Sequence, residues 1–64
     1  MREWLIEFRK AMNLTQKQVA EKCNITRQMV SAIENGEATP SVTVSKALAK
    51  TLNFNWTRFF ETDE

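Results

Sequence analysis

Arg27 and Gln28, followed at helical spacing by Ser31, Ala32 and Asn35, form the group of side chains in this 64-residue chain best suited to meeting a ligand, and the chemistry they offer is recognition. An arginine fork matches the O6 and N7 acceptors of guanine, and a glutamine amide matches the N6 donor and N7 acceptor of adenine. Ser31 can serve either base. Ala32, and Met29 from the flank, can approach a thymine methyl. For Arg27 the rival reading is a phosphate clamp or a surface ion pair, and Met29 and Ala32 can also be simple filler. Reaction chemistry has no comparable set of residues. The chain has no histidine and no tyrosine, so the usual general base, the usual zinc ligand and a phenolic acid are missing. No carboxylates stand at a spacing that pairs them with a nucleophile, a phosphate loop or a metal cage. We therefore expect no enzyme, no metal and no cofactor. The lone cysteine, Cys23, reads as a small buried hydrophobe, not as a redox switch or metal ligand.

Positioning those side chains requires helices. Leu5, Phe8 and Met12, with Trp4 and Ala11 alongside, recur at three- and four-residue intervals and predict a first helix from about Arg2 to Met12 with this stripe in the core. Thr15 starts a second helix, its hydroxyl and Gln18 forming a capping box, with Val19, Ala20 and Cys23 inward. A third begins after the cap Thr26, turns Val30 and Ile33 inward, and stops at Asn35-Gly36, where glycine takes the left-handed conformation. At about 100° per residue, Gln28, Ser31, Ala32 and Asn35 then face solvent, flanked by Arg27 and Met29. This is a helix-turn-helix pattern, covering about residues 15–35. Ser41 caps a fourth helix with Val42, Leu48, Ala49 and Leu52 on its buried side, although the β-branched run Val42, Thr43, Val44 makes a weak first turn. Asn55 caps a short fifth helix that uses Trp56, Phe59 and Phe60, and the acidic tail Glu61 to Glu64 frays.

Size and composition set further bounds. A chain this short makes one domain, here taken as 1–64, with no separate oligomerisation or inducer domain. No stretch approaches the ~20 apolar residues of a membrane span, and no secretory leader is visible, which predicts a cytoplasmic protein without a membrane partner. The net charge of +1 hides an uneven distribution. Between Arg9 and Arg58 eight basic residues face three acidic ones, whereas the ends carry Arg2 against five acids. That layout suits phosphate contact on one face, and it also suits a solvated surface of mixed charge. Lys17, Thr26, Asn35, Thr39 and Ser41 are candidate phosphate contacts, which set register and not sequence preference.

The segment LTQKQVAEKCNITRQMVSAIENG, Leu14 to Gly36, closely resembles the phage repressor and Cro family of helix-turn-helix regulators, also called the xenobiotic-response-element family. The resemblance extends over nearly the whole chain. It implies an all-α, compact five-helix, lambda-repressor-like DNA-binding domain, with the third helix in the major groove and Arg27 and Gln28 nearest the bases. It implies that Gln16 contacts the DNA backbone and braces the recognition helix, and that Arg9 forms a structural ion pair with Glu34. Asn13, Asn24 and Asn53 stand where the family often has glycine, and asparagine is the residue after glycine best suited to positive φ. Ser45 and Lys46 depart from the family, which commonly has leucine there. The resemblance also implies a homodimer on a palindromic double-stranded DNA operator, with half-sites about 34 to 36 Å apart. Its interface would lie in the region of the last two helices, where Phe54, Trp56 and Phe60 supply aromatic surface unless they pack internally. The function implied is sequence-specific transcriptional regulation, most simply repression by occluding a promoter. The competing reading is a protein-interaction module, or an antitoxin-type regulator, that binds a protein partner through the aromatic end.

Overall fold

The computed structural model describes residues 1–61, so the end of the predicted acidic tail, residues 62–64, lies outside the described part. Four α-helices follow in order: α1 (Glu3–Ala11), α2 (Gln16–Cys23), α3 (Arg27–Asn35) and α4 (Val42–Leu52). A 3-10 helix, Trp56–Phe60, closes the described chain. No strand occurs among the described residues, and no helix is long and apolar enough to cross a membrane. The all-α expectation holds, with the fifth helix wound more tightly than an α-helix.

Capping chemistry explains where the helices begin. Thr15 Oγ1 accepts from the Gln18 backbone N–H at 3.1 Å, and Gln18 Oε1 accepts from the Thr15 N–H at 2.9 Å, completing the capping box of α2. Thr26 Oγ1 accepts from the Met29 N–H at 3.0 Å, and Ser41 Oγ from the Val44 N–H at 3.2 Å. Asn55 Oδ1 accepts from the Thr57 N–H at 3.0 Å, and the Asn55 carbonyl accepts from the Arg58 N–H three residues on, which fixes the 3-10 winding. Left-handed residues end the helices. Asn13, Asn24 and Asn53 have φ of 57°, 58° and 63°, and Gly36 has φ of 82°. Each predicted glycine-like site is thus occupied by an asparagine whose short side chain tolerates that conformation.

The core gathers Leu5 of α1, Val19, Ala20 and Cys23 of α2, Val30 and Ile33 of α3, Leu48 and Leu52 of α4, and Phe59. Packing of α2 against both α3 and α4 places the motif on a hydrophobic floor, and α1 closes it from the α3 side. Two predicted stripes overran this core. Met12 is 48% exposed and Ala11 is exposed, because α1 ends at Ala11 and the chain turns away at Asn13 before the stripe can continue inward. Val42 is likewise 48% exposed. The buried stripe of α4 is Ser45, Leu48, Ala49 and Leu52, and Val42, one turn earlier, projects past the edge of the core. α4 forms despite its β-branched start because the Ser41 cap and this stripe outweigh propensity.

Continuous with this core, an aromatic cluster joins α1 to the 3-10 helix. The Trp4 ring meets Phe54 and Phe59, each at a centroid distance of 5.2 Å, and Phe8 stacks on Phe54 at 5.4 Å. The Arg58 guanidinium sits 4.7 Å from the Trp4 centroid and 5.8 Å from that of Phe8. Phe54 is therefore engaged inside the molecule, the internal one of its two expected placements, with its ring between α1 and the 3-10 helix.

Candidate nucleic-acid interface

Because Val30 and Ile33 are drawn into the core, the opposite side of α3 is left to solvent. Arg27, Gln28, Met29 and Asn35 are exposed, and Ser31 and Ala32 are half-buried. Gln16, Thr26, Arg27, Gln28 and Ser31 line one concavity, set between the first turns of α2 and α3. Gln16 and Arg27 also line an adjoining one with Arg9, Lys10, Asn13, Leu14, Thr15 and Lys17. The two form a continuous trough with four cationic side chains and no carboxylate among its lining residues. Two helix N-termini open onto it, and their free N–H groups and partial positive charge add to the attraction for an anion.

The structure divides the predicted contacts. Arg27, Gln28, Ser31, Gln16, Lys17 and Thr26 converge on the trough. Met29, Ala32 and Asn35 lie on α3 outside its lining, and Thr39 and Ser41 lie in the connection between α3 and α4. The Thr26 and Ser41 hydroxyls accept cap hydrogen bonds, yet each keeps its own O–H to donate.

Beneath the trough a buried carboxylate joins three helices. Arg9 Nε donates to Glu34 Oε2 at 2.6 Å, and Arg9 Nη2 to Glu34 Oε1 at 3.3 Å. Gln16 Nε2 donates to the same Oε1 at 2.8 Å, and Arg9 Nη1 donates to the Leu14 carbonyl at 3.0 Å. Glu34 is only 2% exposed, so its charge depends on these donors for solvation. Their directionality ties the first residue of α2 and the last turn of α3 to α1. Gln16 is oriented in consequence: one amide N–H is spent on Glu34, and its second N–H and its carbonyl remain for a ligand in the trough.

Arg2 escaped the sequence reading, which placed it in the first helix and counted it only as a terminal charge. Its backbone N–H donates to the Glu34 carbonyl at 2.7 Å, and Nη1 donates to the carbonyls of Ile33 at 2.7 Å and Ala38 at 2.9 Å. Its guanidinium lies 5.5 Å from the Phe59 ring centroid. It thus satisfies carbonyls at the C-terminal end of α3, where a cation is favoured. The only sequence signal was the need of those carbonyls for donors, and nothing local pointed to a residue more than thirty positions away.

At the other end, Trp56 and Phe60 meet edge to face at 6.0 Å, and Lys46 Nζ lies 5.2 Å from the Trp56 ring centroid. Phe60 is 46% exposed. Lys46 thus stands on the surface over an aromatic ring, whereas its neighbour Ser45 is fully buried. Among the described residues no three His, Cys, Asp or Glu side chains are grouped to hold a metal ion.

This geometry agrees with the comparisons. The helix-turn-helix family model matches residues 5–59. An uncharacterized HTH-type transcriptional regulator of Bacillus subtilis, YqaF, is 46% identical over 95% of this chain and 80% of its own length. A second HTH-type transcriptional regulator, from Methanothermobacter thermautotrophicus, is 38% identical over 81% of this chain and 75% of its own. A third, from Archaeoglobus fulgidus, is 30% identical over 100% of this chain and 90% of its own. No solved structure matches the chain significantly. With α2 and α3 forming the motif and the match running through the core positions of all four α-helices, the chain belongs to the helix-turn-helix family, among the phage repressor and Cro-type regulators.

Proposed function

We propose that this protein is a sequence-specific double-stranded DNA-binding transcriptional regulator without catalytic activity, acting in the cytoplasm as a repressor that occludes a promoter. The observation that carries this reading is the exposure of Arg27 and Gln28 at the first turn of α3, beside the cationic trough and on a helix fixed by the Arg9–Glu34–Gln16 network. The relatives named as HTH-type transcriptional regulators support it. In this reading α3 enters the major groove, Arg27 and Gln28 pair with base edges, and Ser31, Ala32 and Met29 complete the readout. Gln16, Lys17, Thr26, Asn35, Thr39 and Ser41 hold phosphates and set the register. Residues 1–64 act as one DNA-binding domain.

One such module spans few base pairs, so the functional unit is a homodimer on a palindromic operator. Trp56 and Phe60 supply the interface, since Phe54 is occupied by the aromatic cluster. The exposed Phe60 also favours a second reading, in which the aromatic end binds a different protein, as in an antitoxin-type regulator. A binding selection on random duplexes at two salt concentrations, repeated with Gln28→Ala, tests the main reading. A two-fold symmetric site, steep weakening with salt and relaxed preference at one position per half-site in the variant are expected. A folded protein that enriches no sequence would overturn it. Sedimentation of wild type and Phe60→Ser separates self-association from binding of another protein.

A further inference from the structure

Met12 is a large exposed apolar side chain whose placement DNA recognition leaves unexplained. With Leu14, Ala47 and Thr51 it lines a groove flanked by Lys22 and Lys50. The groove forms where three helices end: Met12 caps α1, Lys22 lies in the last turn of α2, and Lys50 and Thr51 lie in the last turn of α4. No carboxylate lines it. Among the described residues neither lysine has an ion-pair partner, the recorded pair being Arg9–Glu34. The groove touches the basic trough at Leu14 and shares no residue with the concavity around Gln28.

The lysines alone have a local explanation, because cations in a final helical turn complement the helix dipole. The apolar floor between them does not. Methionine is a flexible, polarizable side chain well suited to adaptable apolar contact.

We propose that this groove docks a short acidic peptide segment of a partner protein. An apolar side chain of the segment rests on Met12, Leu14 and Ala47, and carboxylates on either side of it pair with Lys22 and Lys50. The charge complementarity selects an acidic segment, and the apolar floor selects a peptide over a nucleic acid.

The test titrates the isotope-labelled full chain, followed by amide shifts, with a capped peptide of about eight residues in which leucines alternate with aspartate and glutamate. The same peptide carrying asparagine and glutamine, and a short DNA duplex, serve as the other probes. The acidic peptide should shift the amides of Met12, Leu14, Lys22, Ala47, Lys50 and Thr51, and the neutral peptide should not. Both lysines are exposed, so Lys22→Gln with Lys50→Gln keeps the fold. That variant should bind the acidic peptide about tenfold more weakly while duplex affinity stays within about twofold of wild type. Shifts confined to Lys10, Lys17 and Arg27, equal binding of the neutral peptide, or no binding would overturn the proposal. So would a parallel tenfold loss of duplex affinity in the variant, which would make the groove a phosphate surface.

Discussion

The two ends of α1 hold the molecule together by opposite means. Toward its C-terminus Arg9 reaches a buried carboxylate that also accepts from Gln16, so three helices meet through a few short, directional bonds. Toward its N-terminus Trp4, with Phe8 one turn on, meets Phe54 and Phe59 across rings stacked, tilted or edge-on at centroid distances of 5.2 to 6.3 Å. The first arrangement permits one geometry. The second rests on buried area and tolerates small rotations of its rings. The directional brace lies under the helix proposed to meet DNA, where a misplaced α3 would misalign every base contact at once. The adaptable cluster lies where the chain needs only to be held shut.

The largest effect should come from emptying the brace. Glu34→Ala strands the Arg9 guanidinium in a largely enclosed site and should cost about 3 to 5 kcal/mol in urea unfolding. Arg9→Met, which strands the carboxylate instead, should cost a similar amount. The double variant Arg9→Met with Glu34→Leu should recover most of the loss, because the desolvation penalty disappears along with both charges. If Glu34→Ala unfolds within 1 kcal/mol of wild type, on the order of a surface pair, the contrast between the two ends fails.

The next effect tests the turn that joins the two motif helices. At Asn24, with φ of 58° and ψ of 43°, glycine should be tolerated or stabilising, whereas Asn24→Val should cost about 1 to 2 kcal/mol from left-handed strain. Equal melting temperatures for the two variants would contradict this. The site also marks what could be read in advance. Thr15, Thr26, Ser41 and Asn55 announce helix starts because each effect is local, one side chain satisfying one stretch of its own backbone, whereas the three turn asparagines were placed by the family's glycine positions. The inward faces of α2 and α3 were legible for the same reason, through the helical repeat. The ends of stripes were not. Whether Met12 or Val42 is covered depends on where neighbouring helices stop, and the capture of Arg2 by the Ile33 and Ala38 carbonyls depends on contacts more than thirty residues apart. Among the candidate contacts, the outward set on α3 followed from periodicity, while their grouping with Lys10 and Lys17 into one trough required the packing of α1 against α3 and the Arg9 hydrogen bond to the Leu14 carbonyl just before α2.

At the aromatic end the same reasoning predicts tolerance. Phe54→Leu keeps an apolar side chain between Trp4 and Phe8 and should cost about 1 kcal/mol, well below the loss at Glu34. DNA affinity should change little, since that ring packs against Trp4, Phe8 and Phe59 and lines neither concavity of the trough. A loss as large as that of Glu34→Ala would show that the cluster, and not the brace, fixes α3.

The smallest effect is a gain. Ser45 is fully buried, and its hydroxyl has no hydrogen-bond partner among the described residues. An unsatisfied buried hydroxyl carries a desolvation penalty, and alanine is the better helix former, so Ser45→Ala should stabilise the protein by about 1 kcal/mol. For a domain of this size that raises the melting temperature by roughly 4 to 8 °C. The leucine common at this position in the family should not do the same. Its larger side chain would crowd a site now closed around serine, and overpacking of that kind costs about 1 to 3 kcal/mol. If Ser45→Leu melts higher than Ser45→Ala, the core between α4 and its neighbours must contain room that the static packing does not reveal, and this part of the molecule would belong with the adaptable aromatic end and not with the brace.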